Sequence, residues 1–191
     1  MINIEIKTLS NKLIDDYLNF FDNIAFSDHK EWSWCYCASC HFDENSLKKL
    51  YETGKENLRD EAITLINEKI IQGYLAYKEN NVIGWCNCGD KNNYKHLRNE
   101  LWDINDKNLK IKSVVCFIVA PEMRGKGIAT RLLDYACSDT KKDAFSCIEA
   151  YPIKGEGNCF DHFPGPFKLY ENKGFNIYKE FEKDMIVRKY T

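Results

Sequence analysis

Residues 114–133, VVCFIVAPEMRGKGIATRLL, constrain this chain more than any other stretch. Val114 to Val119 is an unbroken apolar run rich in β-branched residues, which predicts a buried strand. Pro121 ends it, because proline brings no donor to a strand ladder. Ile128, Ala129, Leu132, Leu133 and Ala136 then recur at helical spacing and share one face. Arg124-Gly125-Lys126-Gly127 joins the two. Its glycines let backbone approach a ligand closely, and the first amides of the following helix have no partner inside it. Those amides and the helix dipole favour an anion, and Arg124 and Lys126 add positive charge. The expected product is a phosphate cradle. It is neither a Walker loop, which needs GxxxxGK[ST], nor the dinucleotide fingerprint GxGxxG.

The rest of the chain reads as elements around that unit. With 191 residues it is long enough for one domain with a sizeable core, and a single domain over 1–191 is expected. Ile2, Ile4 and Ile6 alternate as in a strand. Leu13 to Phe26 reads as a helix, Leu47 to Tyr51 as a short one, and Leu58 to Ile70 as a longer one closed by Gly73. Tyr74 to Lys78 and Val82 to Cys88 flank Glu79-Asn80-Asn81, a hairpin signal. Asp90 to Leu109 is polar and reads as an excursion loop. After the cradle come a strand at Phe145 to Tyr151 and a glycine- and proline-rich loop at Lys154 to Pro166. A helix runs from about Pro166 to Gly174. Phe175 to Phe181 and Met185 to Arg188 form a last hairpin. The order is βααβββαβαββ, an α/β chain with a mixed sheet and helices on both faces.

This order and the cradle resemble the GNAT acyltransferase superfamily. Its Arg/Gln-x-x-Gly-x-Gly/Ala signature is matched by Arg124, Gly127 and Ala129, with Pro121-Glu122 just before. About 40 residues later, Phe167-Lys-Leu-Tyr-Glu-Asn-Lys-Gly-Phe175 resembles the family's second signature, (L)YEKxGF. Two signatures in the right order are far more specific than either alone. The resemblance runs from about Gly73 to Arg188 and reaches toward the start. Within the family the chain is most similar to a branch with Gly84-Trp85-Cys86 on the third strand and Glu149-Ala-Tyr-Pro152 at a strand end.

The resemblance implies transfer of an acyl group, acetyl above all, from acyl-CoA directly to a primary amine in a ternary complex. The backbones of Phe117, Ile118 and Val119 would pair with the pantetheine arm. The amides of Gly125, Lys126, Gly127, Ile128, Ala129 and Thr130, with Arg124, would take the pyrophosphate. Amide formation also needs an acid for the leaving thiolate and a base for the amine. Tyr170 matches the family's proton-donating tyrosine, and a phenol near its ordinary pKa of about 10 keeps its proton at neutral pH. It could equally be an aromatic packed on its helix beside Phe167. Many relatives place a glutamate on the strand before the cradle, but Lys112 to Val119 contains no acid. Glu149, a carboxylate in the apolar run 147–151, is the expected base, since partial burial would raise its pKa. His162 is the runner-up and a water chain the third option.

Nine cysteines are an odd, high count. Cys35, Cys37, Cys40 and His41 form one cluster, and Cys86 with Cys88 a second C-x-C pair. The paired C-x2-C knuckles of a strong zinc site are missing, so no metal is expected. The thiols read instead as small apolar groups, alternating on a strand face or lining an acceptor pocket with Trp32, Trp34, Tyr36 and Trp85. No run approaches the roughly 18 apolar residues of a membrane span, and Met1 to Lys7 has no signal-peptide core. Reduced thiols in a cytoplasm follow as an expectation. The net charge of −2 gives no basic footprint for nucleic acid or an anionic membrane. A small-molecule or peptide amine is the expected acceptor, and a homodimer is compatible with the reading. The rival functions are a non-catalytic CoA-binding sensor with a redox- or metal-responsive thiol cluster, and transfer to an oxygen or sulfur acceptor.

Overall fold

The computed structural model describes residues 3–98, 106, 108–155 and 163–191. Its strands are β1 (Glu5–Thr8), β2 (Gly73–Lys78), β3 (Asn81–Asp90), β4 (Ile111–Val119), β5 (Cys147–Ala150), β6 (Asn176–Glu180) and β7 (Met185–Tyr190). They form one mixed sheet in the order β1-β2-β3-β4-β5-β7-β6. Among the described residues, β4 and β5 are the one pair of strands that runs in parallel. The helices are α1 (Ile14–Asn19), α2 (Glu44–Glu52), α3 (Lys55–Asn67), α4 (Ile128–Lys142) and α5 (Phe167–Glu171). This is the mixed α/β architecture the sequence predicts. The short helix marked at Leu47 to Tyr51 becomes a full element, so three helices precede β2.

The first predicted helix is shorter than its apolar pattern. It passes from α1 into a wider π-helical turn over Phe20–Ile24, which seats Phe20 and Phe21 in the core. Asp43 caps α2 by accepting the Ser46 amide at 2.9 Å. The strand predicted over 145–151 contracts to Cys147–Ala150.

Alternation along the strands separates two faces. Tyr74, on one face, donates its hydroxyl to Asp139 of α4 at 2.6 Å. Leu75 and Trp85 face the other way, where Trp85 packs edge-on against Tyr17 of α1 at 5.1 Å. α4 is fixed at both ends. At its start, a Cβ on Gly84 of β3 would lie 2.9 Å from Ile128, so only glycine lets the helix sit this close. Near its end, buried Lys112 of β4 pairs with Asp139 at 3.2 Å and Asp143 at 3.0 Å. α5 lies alongside, with Lys173 just past its end on Asp134 of α4 at 2.7 Å.

Two features place the site. Asn87 pairs with Cys116 and Cys88 with Val114, so Val115 is an extra residue in β4. Such a bulge bends its strand. The β4–β5 ladder covers only Ile111 to Val114, and from Val115 onward β4 keeps β3 on one side and loses β5 on the other. The sheet is forked there.

The described part of the predicted excursion at 90–109 is not simply solvated. Its residues 90–98 lie on the face opposite α4 in short turns at Lys91–Asn93 and Lys95–Arg98, burying Tyr94 and Leu97. It also carries Lys91 and Asp106 into a buried ion cluster. Lys91 meets Glu149 at 2.7 Å and Asp106 at 3.3 Å. Arg188 of β7 meets Glu149 and Asp106, each at 2.5 Å. Two cations and two anions compensate one another, and that makes the burial tolerable. Removing one cation should be costly: Lys91→Met is expected to lose about 3–5 kcal/mol of stability in urea unfolding.

His41 ties the cysteine-rich segment to the same turns, through Nδ1 on the Asn93 carbonyl at 2.9 Å and stacking on Tyr94 at 4.8 Å. Burial lowers its pKa to about 4, outweighing that hydrogen bond. The native state therefore refuses a proton that the unfolded chain takes below about 6.5. Stability is expected to be indifferent to this group above pH 6.5 and to fall as the pH drops toward 4. The loss should reach about 3 kcal/mol, and His41→Gln should flatten that part of a denaturation-versus-pH profile.

Candidate acyl-transfer site

The cradle forms where the sequence puts it. Pro121–Met123 makes one tight turn, pinned by the Ala120 amide on the Ile83 carbonyl at 3.0 Å. Gly125 and Gly127 take left-handed conformations, with φ of 72° and 77°. Gly127 is the N-cap of α4, whose first turn carries no acid. Residues 124–127 are exposed while Ile128 is buried, so the turn stands off the core on an anchored helix. A Cβ added at either glycine would meet nothing within 4 Å. Conformation thus calls for glycine here, and the space before the helix is open. Exposed amides, two cations and an open approach fit a diphosphate.

The forked strand corrects one assignment. Phe117 donates its amide to the Phe163 carbonyl at 2.7 Å, away from β3. Backbone groups alternate sides along a strand, so those of Ile118 turn back to its partner Trp85 on β3. Phe117 and Val119 address the open side of the fork, and Ile118 does not. The Val119 carbonyl accepts from Arg124 Nε at 3.2 Å.

The partner of the Phe117 amide lies on a turn that reaches Tyr170. Gly165 would place a Cβ 3.4 Å from the Phe117 ring. Tyr170 is fully buried, stands edge-on to Phe175 at 5.2 Å and donates its hydroxyl to the Pro164 carbonyl. The 163–166 turn therefore links the Phe117 amide to the Tyr170 phenol. Burial holds that phenol well above the ordinary tyrosine range, so it stays protonated at neutral pH.

Glu149 is placed differently from its expectation. Ile148 and Ala150 join the core under α4, and Glu149 points to the opposite face. It is fully buried, not partly. One oxygen accepts from Arg188 Nε; the other meets Lys91 Nζ at 2.7 Å and takes the Tyr151 hydroxyl at 2.5 Å. Both carboxylate oxygens are thus committed to partners inside the fold. The geometry gives Glu149 the work of joining β5, β7 and the 91–106 segment. Neither the cations nor their carboxylate were legible as a set, because the four residues come from distant stretches. His162 lies outside the described residues.

The cysteines divide. Cys86 and Cys88 are buried on β3, as a C-x-C pair on one strand face should be. Cys35 and Cys37 lie in no strand. Cys37 adopts a left-handed conformation (φ 50°), and its carbonyl accepts from Cys40 Sγ at 3.4 Å and Asn87 at 3.2 Å. Asn87 is paired with Cys116, which brings that thiol to the same place. Burial and neighbouring thiols push the group upward, Cys40 to about 12, so these are thiols and not thiolates. Among the described residues no three His, Cys, Asp or Glu side chains are arranged to hold a metal ion. Trp85 is core, Tyr36 is buried with its hydroxyl on Asp22 at 2.5 Å, and Trp32 stacks on His29 at 4.0 Å.

A family model described as an acetyltransferase (GNAT) domain matches residues 70–177, more than half of the chain. The chain belongs to the GNAT acetyltransferase family. Solved GNAT structures share the fold along the whole length. The PaiA N-acetyltransferase of Thermoplasma acidophilum, in complex with coenzyme A, is 19% identical with 99% of each chain covered and a TM-score of 0.53. The ribosomal-protein-alanine N-acetyltransferase of Brucella melitensis is 14% identical, covering 94% of this GNAT chain and 96% of its own, with a TM-score of 0.53. A chain of the NatC complex bound to Gag peptide and CoA is 15% identical, with 99% of each covered and a TM-score of 0.53. No curated protein sequence matches. Among the described residues no helix is long and apolar enough to cross a membrane.

The cradle yields a direct test. Gly127→Asp forces a β-carbon into a left-handed N-cap and sets a carboxylate before the helix amides. CoA binding measured by calorimetry is expected to fall below detection, while the circular dichroism of the folded protein is unchanged.

Proposed function

We propose that this GNAT domain, spanning 1–191, is an acyl-CoA-dependent N-acyltransferase that moves an acetyl group to a primary amine by direct transfer. The observation that carries the reading is a fork in the sheet feeding an exposed, left-handed glycine cradle within one 20-residue segment. The cradle amides from Gly125 to Thr130, with Arg124 and Lys126, would hold the pyrophosphate. The Phe117 amide and Val119 carbonyl would hold the pantetheine arm along the fork. Coenzyme A supplies an activated thioester; the remaining tasks fall to the chain.

Phe117 and Val119 must first be freed. The Phe163 carbonyl leaves the Phe117 amide, and Arg124 leaves the Val119 carbonyl. The same movement releases the Tyr170 hydroxyl from Pro164, because one turn carries both contacts. Tyr170 then donates its proton to the departing thiolate, and its raised pKa keeps it loaded until that moment. With Glu149 committed to its ion pairs, the amine's proton leaves through water. The related structures with a peptide or a ribosomal protein in their descriptions support an amine-bearing acceptor, small or peptidic. Eight free thiols among the described cysteines support a reducing, cytoplasmic setting.

The test is a panel of amines with acetyl-CoA, read as release of free CoA, in wild type and Tyr170→Phe. Turnover on a productive amine is expected to fall on the order of 10²-fold in the variant, with little change in the KM for acetyl-CoA. Tight CoA binding with no turnover on any amine would instead favour the sensor. Loss of turnover with an equal loss of CoA affinity would reduce Tyr170 to packing.

A further inference from the structure

Arg124 sits at the mouth of the cradle, yet its guanidinium is already engaged. Nε reaches the Val119 carbonyl at 3.2 Å, Nη2 reaches Asp28 Oδ1 at 3.2 Å, and Nη1 bonds Asp28 Oδ2. Arginine has five N–H donors in one planar fork. Three are taken, and the two that would grip a diphosphate bidentately are those on Asp28. Asp28 lies 96 positions away in sequence, on the turn between the end of the α1 segment and the cysteine-rich stretch. Around it lie the Arg124 guanidinium and, at 4.0 Å, the His29 imidazole, whose other nitrogen is on Glu31 at 3.0 Å. Arg124's hydrogen bonds hold the Asp28 carboxyl below the usual carboxylate range, so it is anionic at neutral pH. Chemically, a carboxylate occupies the grip that a phosphate would use.

We infer that Asp28 is a positioning residue for the cofactor, its carboxylate standing in for the diphosphate on Arg124 until acyl-CoA displaces it. This rests on the cradle's holding acyl-CoA. Two consequences follow from charge alone. Binding exchanges one anion for another at the same guanidinium, so the affinity is lower than the cradle could give. The exchange also detaches the 28–32 turn, with His29 stacked on Trp32, from the cradle. Occupancy at the cradle is thereby communicated to the segment leading toward Cys35 and Cys37. When CoA leaves, Asp28 recaptures Arg124 and helps empty the site.

Asp28→Asn keeps the shape and removes the competing charge. Asp28 and Arg124 are both partly exposed, so the pair is an ordinary surface ion pair and the variant is expected to fold. Calorimetry with CoA should give a Kd about three- to tenfold lower than wild type at low salt, the gain shrinking as salt is raised. The KM for acetyl-CoA should fall in parallel, with kcat unchanged or lower because product CoA leaves more slowly. Arg124→Ala is the reference. If Arg124→Ala weakens CoA while Asp28→Asn leaves the Kd within twofold of wild type or raises it, the cradle stands and the role of Asp28 is overturned. If neither variant changes CoA binding, the cradle assignment itself is wrong and the inference falls with it.

Discussion

The parting of β4 from β5 after Val114 is the constraint on which the rest of this molecule depends. A sheet normally satisfies every strand from both sides, because an unpaired backbone group in a dry interior is expensive. Here β4 carries an extra residue at Val115, bends, and leaves its last stretch with β3 alone. Backbone donors and acceptors on the open side of that stretch must find other partners. The Phe117 amide finds the Phe163 carbonyl, and the Val119 carbonyl finds the Arg124 side chain. The fork thus leaves a strand-wide vacancy in the sheet, one that in the function proposed above the amide-bearing arm of CoA would complete.

A vacancy is useful only if its edges hold still. α4 is clamped on the sheet at its start by the close fit of Gly84 and Ile128 and near its end by Lys112 between Asp139 and Asp143. The cradle at the helix start inherits that rigidity, while Arg124 to Gly127 remain exposed. β5 is clamped on the other face by the Glu149, Arg188, Lys91 and Asp106 cluster. Buried ion pairs add little net stability over apolar packing, but breaking one strands a charge. Such a cluster therefore fixes geometry better than it adds stability, which suits a strand that must diverge at a set place.

The movable parts are of another kind. The 163–166 turn and the Asp28 carboxylate are held by single hydrogen bonds and a partly exposed ion pair, contacts that exchange readily for equivalent ones. Each also ties the fork or the cradle to a distant part of the chain, one to Tyr170 and the other to the segment before the cysteines. Under the proposed function, filling the site would therefore be felt beyond it.

The order of elements and the cradle were legible in the sequence, because each rests on local chemistry. β-Branched runs, helical spacing and left-handed glycines write themselves in consecutive residues, and the bounds moved by only a few positions. Of Phe117, Ile118 and Val119, read together as one backbone set, Ile118 turns to β3 instead, because side choice along a strand depends on which neighbour is present. The polar 90–109 stretch was misread because Lys91 and Asp106 look solvated until Glu149 and Arg188 are brought to them. Glu149 looked like a base for the same reason: an acid in an apolar run is informative, but its two cationic partners lie 39 and 58 positions away. Sequence alone determined the fold class, the family and the place of the glycine turn at the start of α4. Tertiary structure alone decided which charges are spent on holding the sheet and which remain for chemistry, because pairing of charges is a property of proximity in space and leaves no periodic trace in the chain.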